Sequence, residues 1–125
     1  MSVFRYKVSK ASWGVAIELH ARFEQATGKD LEKTPGLQVV FDYKNLDDEE
    51  KALVKKGVNH CAKISPDTKG KIIIENVKYS LCDYQMEGLY CAILGWFSNE
   101  FKVSIRQVPV SFNKTTNKYD FELPA

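Results

Sequence analysis

Cysteine and histidine are the residues in this sequence whose spacing most directly suggests chemistry. A catalytic thiol needs a neighbouring base, and the one adjacent pair is His60 and Cys61. Neighbouring residues on a helix diverge by about a hundred degrees, so these two side chains cannot form a nucleophile–base pair directly. His60 is therefore interpreted as a surface or rim histidine. An enzyme that uses Cys82 or Cys91 is kept as a minor alternative.

The three cysteines also indicate a compartment. Their number is odd, no C-x-x-C pair occurs, and the N-terminus lacks the apolar run of a signal peptide. These features predict free thiols in the reducing cytoplasm. A zinc site would need four clustered ligands, and His20, His60 and the carboxylates show no recognisable spacing. We expect no metal, no cofactor and no catalytic residue, and hence a protein that is not an enzyme.

The densest polar cluster is predicted on a loop between a strand and a helix. In one interpretation Asp83 or Tyr84 lies near the N-cap, and the helix dipole favours Glu87 in the first turn. In the other it is a recognition loop, because aromatic and amide groups on a rigid turn suit contact with a partner. The candidate partner-binding residues are Ser80, Cys82, Asp83, Tyr84, Gln85 and Glu87.

Alternation of apolar and polar residues predicts the strands that support this loop. The alternating segments are residues 3–8, 13–24 and 37–44, which favour three sequential antiparallel strands. Turn residues at 27–30 and 34–36 separate the second strand from the third. Glu18, His20 and Arg22 share the polar side of the second strand, with His20 expected to pair with a carboxylate across strands. They form a candidate exposed sheet face.

The period then changes to that of two helices, residues 47–64 and 85–99. Asp47 and Glu50 form the D-x-x-E start typical of a capping box. Gly57 lies on the apolar stripe of the first helix, where it would permit a close approach to the sheet.

A central strand and a hairpin complete the predicted order βββαβαββ. Residues 71–79 are apolar on both faces, as in a well-covered strand. Residues 102–112 and 118–123 predict a hairpin with a bulge near 106–107, extending the sheet or covering its edge. The predicted fold is a single α+β domain over residues 1–125. It is a two-layer sandwich with a mostly antiparallel sheet and two helices on one face.

The charge balance limits the partners. The sequence has 18 Lys and Arg against 16 Asp and Glu, a net charge of +2 that is spread along the chain. A nucleic-acid binder typically has a basic stripe, so dedicated RNA or DNA binding is disfavoured. No stretch approaches the roughly 18 apolar residues that a membrane span needs. We expect another protein as the partner, the ribosome or RNA as the second choice, and no membrane.

The element order and local sequence resemble domain IV of the ribosomal translocases, elongation factor G and elongation factor 2. The likeness covers about residues 13–100: Trp13-Gly14 opens a strand, Gly57 follows the charged pair Lys55-Lys56, and the last helix contains Glu87. It implies a ribosomal protein S5 domain 2-like fold. In that family, the loop before the last helix lies at the tip that enters the ribosomal decoding region.

The departures from this family affect function. The loop usually carries a His where Ser80 or Leu81 stands here, and the basic residues that help it meet RNA are missing. No glycine-rich phosphate loop ending in GKS or GKT occurs, so translocation is not expected. The leading hypothesis is a small non-catalytic module that binds protein, of the immunity or antitoxin type. The alternative is a stand-alone relative of translocase domain IV that contacts the ribosome or RNA.

Overall fold

A four-stranded mixed sheet is the centre of the protein. The computed structural model describes residues 1–33 and 36–124. The strands are β1 (Ser2–Ser9), β2 (Gly14–Gln25), β3 (Leu37–Phe41) and β4 (Gly70–Lys78), in the order β1-β2-β4-β3. Strand β2 is antiparallel to β1 and to β4, whereas β3 is parallel to β4. Residues 34 and 35 of the turn predicted at 34–36 lie outside the described residues.

The prediction of three sequential antiparallel strands was wrong, because β4 lies between β2 and β3. Helix α2 (Asp48–Ile64) follows β3 and carries the chain back, so that β4 enters the sheet parallel to β3. Ile72, Ile73 and Ile74 of β4 are all buried. The continuous apolar run therefore belongs to a central strand, as predicted.

A side-chain cap marks the start of α2. The Asp47 side chain accepts a hydrogen bond from the Glu50 backbone N–H at 2.8 Å, and Glu50 Oε1 accepts from the Asp47 N–H at 3.0 Å. This confirms the capping box of α2.

Helix α3 (Gly88–Phe101) begins later than predicted. A short helix, α1 (Lys29–Lys33), was not predicted, since none of its side chains is buried to create a periodic pattern. No helix in the described residues is long and apolar enough to cross a membrane.

The two long helices pack on the sheet face that carries Val15, Ile17, Leu19 and Ala21, and one core cluster joins the two layers. The expectation that Gly57 approaches the sheet was wrong. A Cβ at that position would lie 2.2 Å from Cγ2 of Ile93 in α3. Gly57 therefore sets the distance between the helices.

The C-terminal hairpin forms a separate two-stranded sheet of β5 (Val110–Asn113) and β6 (Lys118–Phe121). The predicted strand and bulge across residues 103–109 were wrong, since this stretch has no regular structure. Its apolar side chains Val103, Ile105 and Val108 pack against the core individually. Alternating apolar residues thus reflect burial here without strand pairing.

Buried cysteine predicts loss of stability at alkaline pH. Burial raises the pKa of the Cys61 thiol from 9.0 to about 12. The unfolded thiol ionises first, so the stability that neutral Cys61 contributes is complete below pH 9. It is lost as the pH rises toward 12. Urea unfolding under reducing conditions should show the gap between wild type and Cys61→Ala shrinking from about pH 7 to about pH 10. A constant gap would contradict the prediction.

Candidate functional site

A cleft lies at the end of the sheet where β4 ends. Glu18 near the start of β2 is opposite Lys78, the last residue of β4, so the β1–β2 turn and the β4–α3 loop (residues 79–87) meet there. The parallel β3 also ends on this side and leads into the N-terminus of α2. These elements, with the start of β6, enclose a cleft of about 870 Å³. We call it the tip cleft.

The N-terminus of α2 forms one wall of the tip cleft. Glu50 is buried, and while Oε1 completes the capping box, Oε2 accepts a hydrogen bond from the Tyr84 hydroxyl. Burial and the Glu50 carboxylate both raise the pKa of Tyr84. The Tyr84 ring stacks on Tyr79, with 3.7 Å between ring centroids and 13° between planes. Burial, followed by the charge of Glu50, also raises the pKa of Tyr79. The two rings are therefore fixed as neutral phenols.

Gln85 fixes the hairpin to the same loop. Its Nε2 donates to the Tyr119 carbonyl at 2.6 Å, and its Oε1 accepts from the Tyr119 N–H at 3.0 Å. The amide therefore satisfies both backbone groups of one residue in β6, as a neighbouring strand would. Glu87 accepts from Gln85 Nε2 at 3.0 Å, which holds the amide in this orientation. Residues 85–87 are engaged in these contacts before α3 begins.

Tyr119 joins the hairpin to the β1–β2 turn. Its side chain is 2% exposed, and its hydroxyl donates to the Trp13 carbonyl at 2.6 Å and accepts from the Lys10 N–H at 2.9 Å. Its ring lies edge-on to Trp13 and to Phe112, each with centroids 5.0 Å apart. Within this aromatic cluster, Trp13 lines the tip cleft, and Tyr119 holds it in place from behind.

The structure divides the predicted recognition loop into two parts. Asp83 accepts from the Gly14 N–H at 3.3 Å, and Tyr84, Gln85 and Glu87 are bound as described above. Ser80 and Cys82 are exposed, and Leu81 is 86% exposed on the one-turn 3-10 helix Leu81–Asp83. The N-cap prediction was wrong, since the residue that precedes α3 is Glu87 and makes no capping hydrogen bond.

The candidate sheet face is present but is internally paired. Glu18, His20 and Arg22 share the sheet face opposite the helices, where all three are half-buried. Glu18 is bound by Arg5 at 2.9 Å and by His20 at 2.7 Å, and the hydrogen bond to His20, with Arg5, lowers the pKa of Glu18. Because His20 pairs two positions away on its own strand, the cross-strand prediction was wrong. Arg22 is paired with Glu24 at 3.0 Å and lies 3.7 Å from Glu75, so each of the three residues has a charged partner on this side of the sheet.

The catalytic alternatives gain no supporting contact. His60 is hydrogen-bonded to the Tyr90 hydroxyl. Cys91 is buried, and burial raises the pKa of its thiol to about 11, which opposes thiolate formation at neutral pH. Cys82 is an exposed free thiol. Within residues 1–33 and 36–124, no group of three or more His, Cys, Asp or Glu side chains is arranged to hold a metal.

Sequence reasoning did not find three residues that build the tip cleft: Trp13, Glu50 as the partner of Tyr84, and Tyr119. The capping motif identified Glu50 only as a local feature of α2. The contact to Tyr84 spans 34 residues, and the one between Trp13 and Tyr119 spans 106. No pattern of period two or 3.6 encodes such pairs.

The lining of the tip cleft has more acidic than basic side chains. Asp47, Glu50 and Glu87 line the cleft, against the single cation Lys118 among the described lining residues. Carboxylates at this end repel phosphate and attract a basic surface.

Comparison with known proteins shows the fold alone. No protein-family model matches this chain, and no curated protein matches it in sequence. In structure it is similar to the protein ttk003000868 from Thermus thermophilus, at 16% identity and a TM-score of 0.59 over 78% of this chain. The matched fold spans only 15% of the length of that protein. A fold like this one therefore occurs as a small part of a much longer chain.

Proposed function

We propose that this protein is a non-catalytic, cytoplasmic binding module that contacts another protein through the tip cleft and the loop residues Ser80, Leu81 and Cys82. The observation that carries the proposal is Leu81, a large apolar side chain that is 86% exposed on an anchored loop. Full burial of a leucine in a partner's pocket contributes about 2 kcal/mol. Because the loop is already ordered, little conformational entropy is lost on binding.

The charges beside Leu81 indicate the chemistry of the partner. With Asp47 and Glu87 among the lining residues and Glu50 buried behind them, a complementary surface has an apolar pocket surrounded by lysine or arginine. An immunity or antitoxin protein that covers a basic toxin would have this chemistry. A phosphate backbone would meet repulsion from the same carboxylates, which disfavours RNA.

The second candidate is a stand-alone relative of translocase domain IV with a ribosomal protein S5 domain 2-like fold. What supports it is the order of elements, with the β4–α3 loop at one end of a β-α-β-α unit. The similarity to a small part of a longer protein also favours it, since a fold like this one then occurs as one part of a longer chain. In this interpretation the same tip would contact the ribosome.

Cys82 provides a direct test. It is exposed whereas Cys61 and Cys91 are buried, so a maleimide-linked benzophenone should label Cys82 selectively. After illumination in an extract of the source cells, we expect a discrete adduct that protease removes and ribonuclease does not. Leu81→Asp should abolish the adduct and salt should weaken it. Leu31 is 45% exposed at the other end of the sheet, and the matched variant Leu31→Asp should retain the adduct.

The outcomes separate the two candidates. An adduct sensitive to ribonuclease would favour the ribosome or RNA and contradict protein binding. Adducts that are equally abundant with Leu81→Asp would show that Leu81 is not the anchor and overturn the proposal.

A further inference from the structure

Strand β1 has an unpaired edge beside a groove. It pairs with β2 on one side, and in the described residues no strand pairs with its other side. The irregular stretch that includes residues 105–110 passes along that side without joining the sheet. Between them lies a groove of about 670 Å³, closed below by α3. Unpaired strand edges with space beside them can accept an added strand.

The groove has an apolar floor and cationic walls. Phe4, Tyr6 and Val8 of β1 face the helices and are half-buried. Helix α3 lies close to them, since a Cβ at Gly95 would be 2.2 Å from the Phe4 ring. The floor is therefore apolar along the strand and closely packed against α3.

The charged residues that line the groove are all cations in the described part of the chain: Arg5, Lys7, Lys10 and Arg106. Arg5 is paired with Glu18 at 2.9 Å. Lys7, Lys10 and Arg106 have no ion-pair partner within 4.0 Å among residues 1–33 and 36–124. Three unneutralised cations beside free backbone groups favour an anionic strand.

We propose that the edge of β1 binds an extended acidic segment of a partner protein as an added strand. Side chains of such a strand alternate between the two sheet faces. One set would lie beside Arg5 and Lys7 and the other beside Phe4, Tyr6 and Val8, so the geometry selects alternating acidic and apolar residues. Five residues opposite Phe4–Val8 would span roughly 16 Å.

A second copy of this chain fits the edge less well. Pairing two β1 strands would bring Arg5 and Lys7 of both copies close together, and like charges on neighbouring strands are destabilising. The acidic segment is the occupant that the charges favour. This surface is separate from the tip cleft, and its test does not involve Leu81.

The experiment uses labelled ten-residue peptides and fluorescence anisotropy on the full chain. We expect a peptide of alternating glutamate and valine to bind, and a peptide of the same composition with its glutamates in one block to bind at least about tenfold more weakly. Of two versions N-methylated on alternate residues, the one that blocks the pairing edge should lose binding and the other should retain it. Hydrogen exchange should slow at β1 amides on binding.

Charge variants complete the test. Lys7→Glu should weaken binding of the glutamate peptide roughly tenfold and favour an alternating lysine and valine peptide, whereas Lys63→Glu on the exposed surface of α2 should change neither. Arg106 lies outside the sheet, and Arg106→Glu should also weaken binding of the glutamate peptide. The proposal is overturned if block and alternating peptides bind equally, if both N-methylated versions bind, or if uridine oligonucleotides compete best. Concentration-dependent dimerisation that protects β1 amides without peptide would also overturn it.

Discussion

Gly57→Val is expected to lower the free energy of unfolding by about 4 kcal/mol, because the core has no room for the new side chain. Even a Cβ at Gly57 would lie 2.2 Å from Cγ2 of Ile93 and 3.3 Å from the carbonyl oxygen of Tyr90. The valine would separate α2 from α3 and displace Glu50 from Tyr84. Urea unfolding followed by circular dichroism measures the loss.

Two variants test the cause of this loss. Ala52→Val is exposed on the same helix, so it carries the propensity cost of valine without the clash and should lose less than about 1 kcal/mol. Ile93→Leu removes the γ-methyl branch that Gly57 faces, and in combination with Gly57→Val it should recover part of the stability. Strict additivity of the two substitutions would show that this contact is not responsible.

Tyr119→Ala is expected to release the C-terminal hairpin and to cost about 4 kcal/mol, since the buried ring and its hydroxyl contacts are lost together. The ring packs on Trp13 and Phe112, and the hydroxyl binds the backbone of Trp13 and Lys10. We expect faster amide exchange in β5 and β6 and a change in fluorescence of Trp13.

Tyr119→Phe is the matched control, because it keeps the ring and removes only the hydroxyl. It should cost about 1–2 kcal/mol and leave the hairpin docked, with exchange accelerated at the Lys10 amide. If the alanine variant leaves hairpin exchange unchanged, other contacts hold β5 and β6, and the tip cleft does not depend on Tyr119.

Secondary-structure elements were predicted correctly from the sequence where the signal came from residues close together in the chain. Alternation correctly predicted β1 and β2, a continuous apolar run correctly predicted β4, and Asp47 with Glu50 correctly marked the start of α2. Residues 103–109 alternate too, yet form no strand, because their apolar side chains pack on the core while the backbone remains outside the sheet.

The candidate loop, residues 79–87, was also only partly predictable from the sequence. Its position between β4 and α3 could be predicted, and so could its polar and aromatic character. Which residues are available to a partner could not, since Asp83, Tyr84 and Gln85 are bound by groups from three other elements. Leu81, outside the predicted set of contact residues, is the most exposed large apolar side chain in the described residues.

The amino-acid sequence by itself determined where β1, β2, β3, β4 and α2 form, the face that each buries, and the cap of α2, but it did not indicate α1 or the irregular stretch 103–109. These properties depend on interactions within a few residues, which periodicity and side-chain chemistry express directly. Only the tertiary structure decided the strand order, the separate hairpin, the pairing of Glu50 with Tyr84, and the open edge of β1. Such features join residues far apart in the chain, and several partners satisfy the same local pattern until packing selects one.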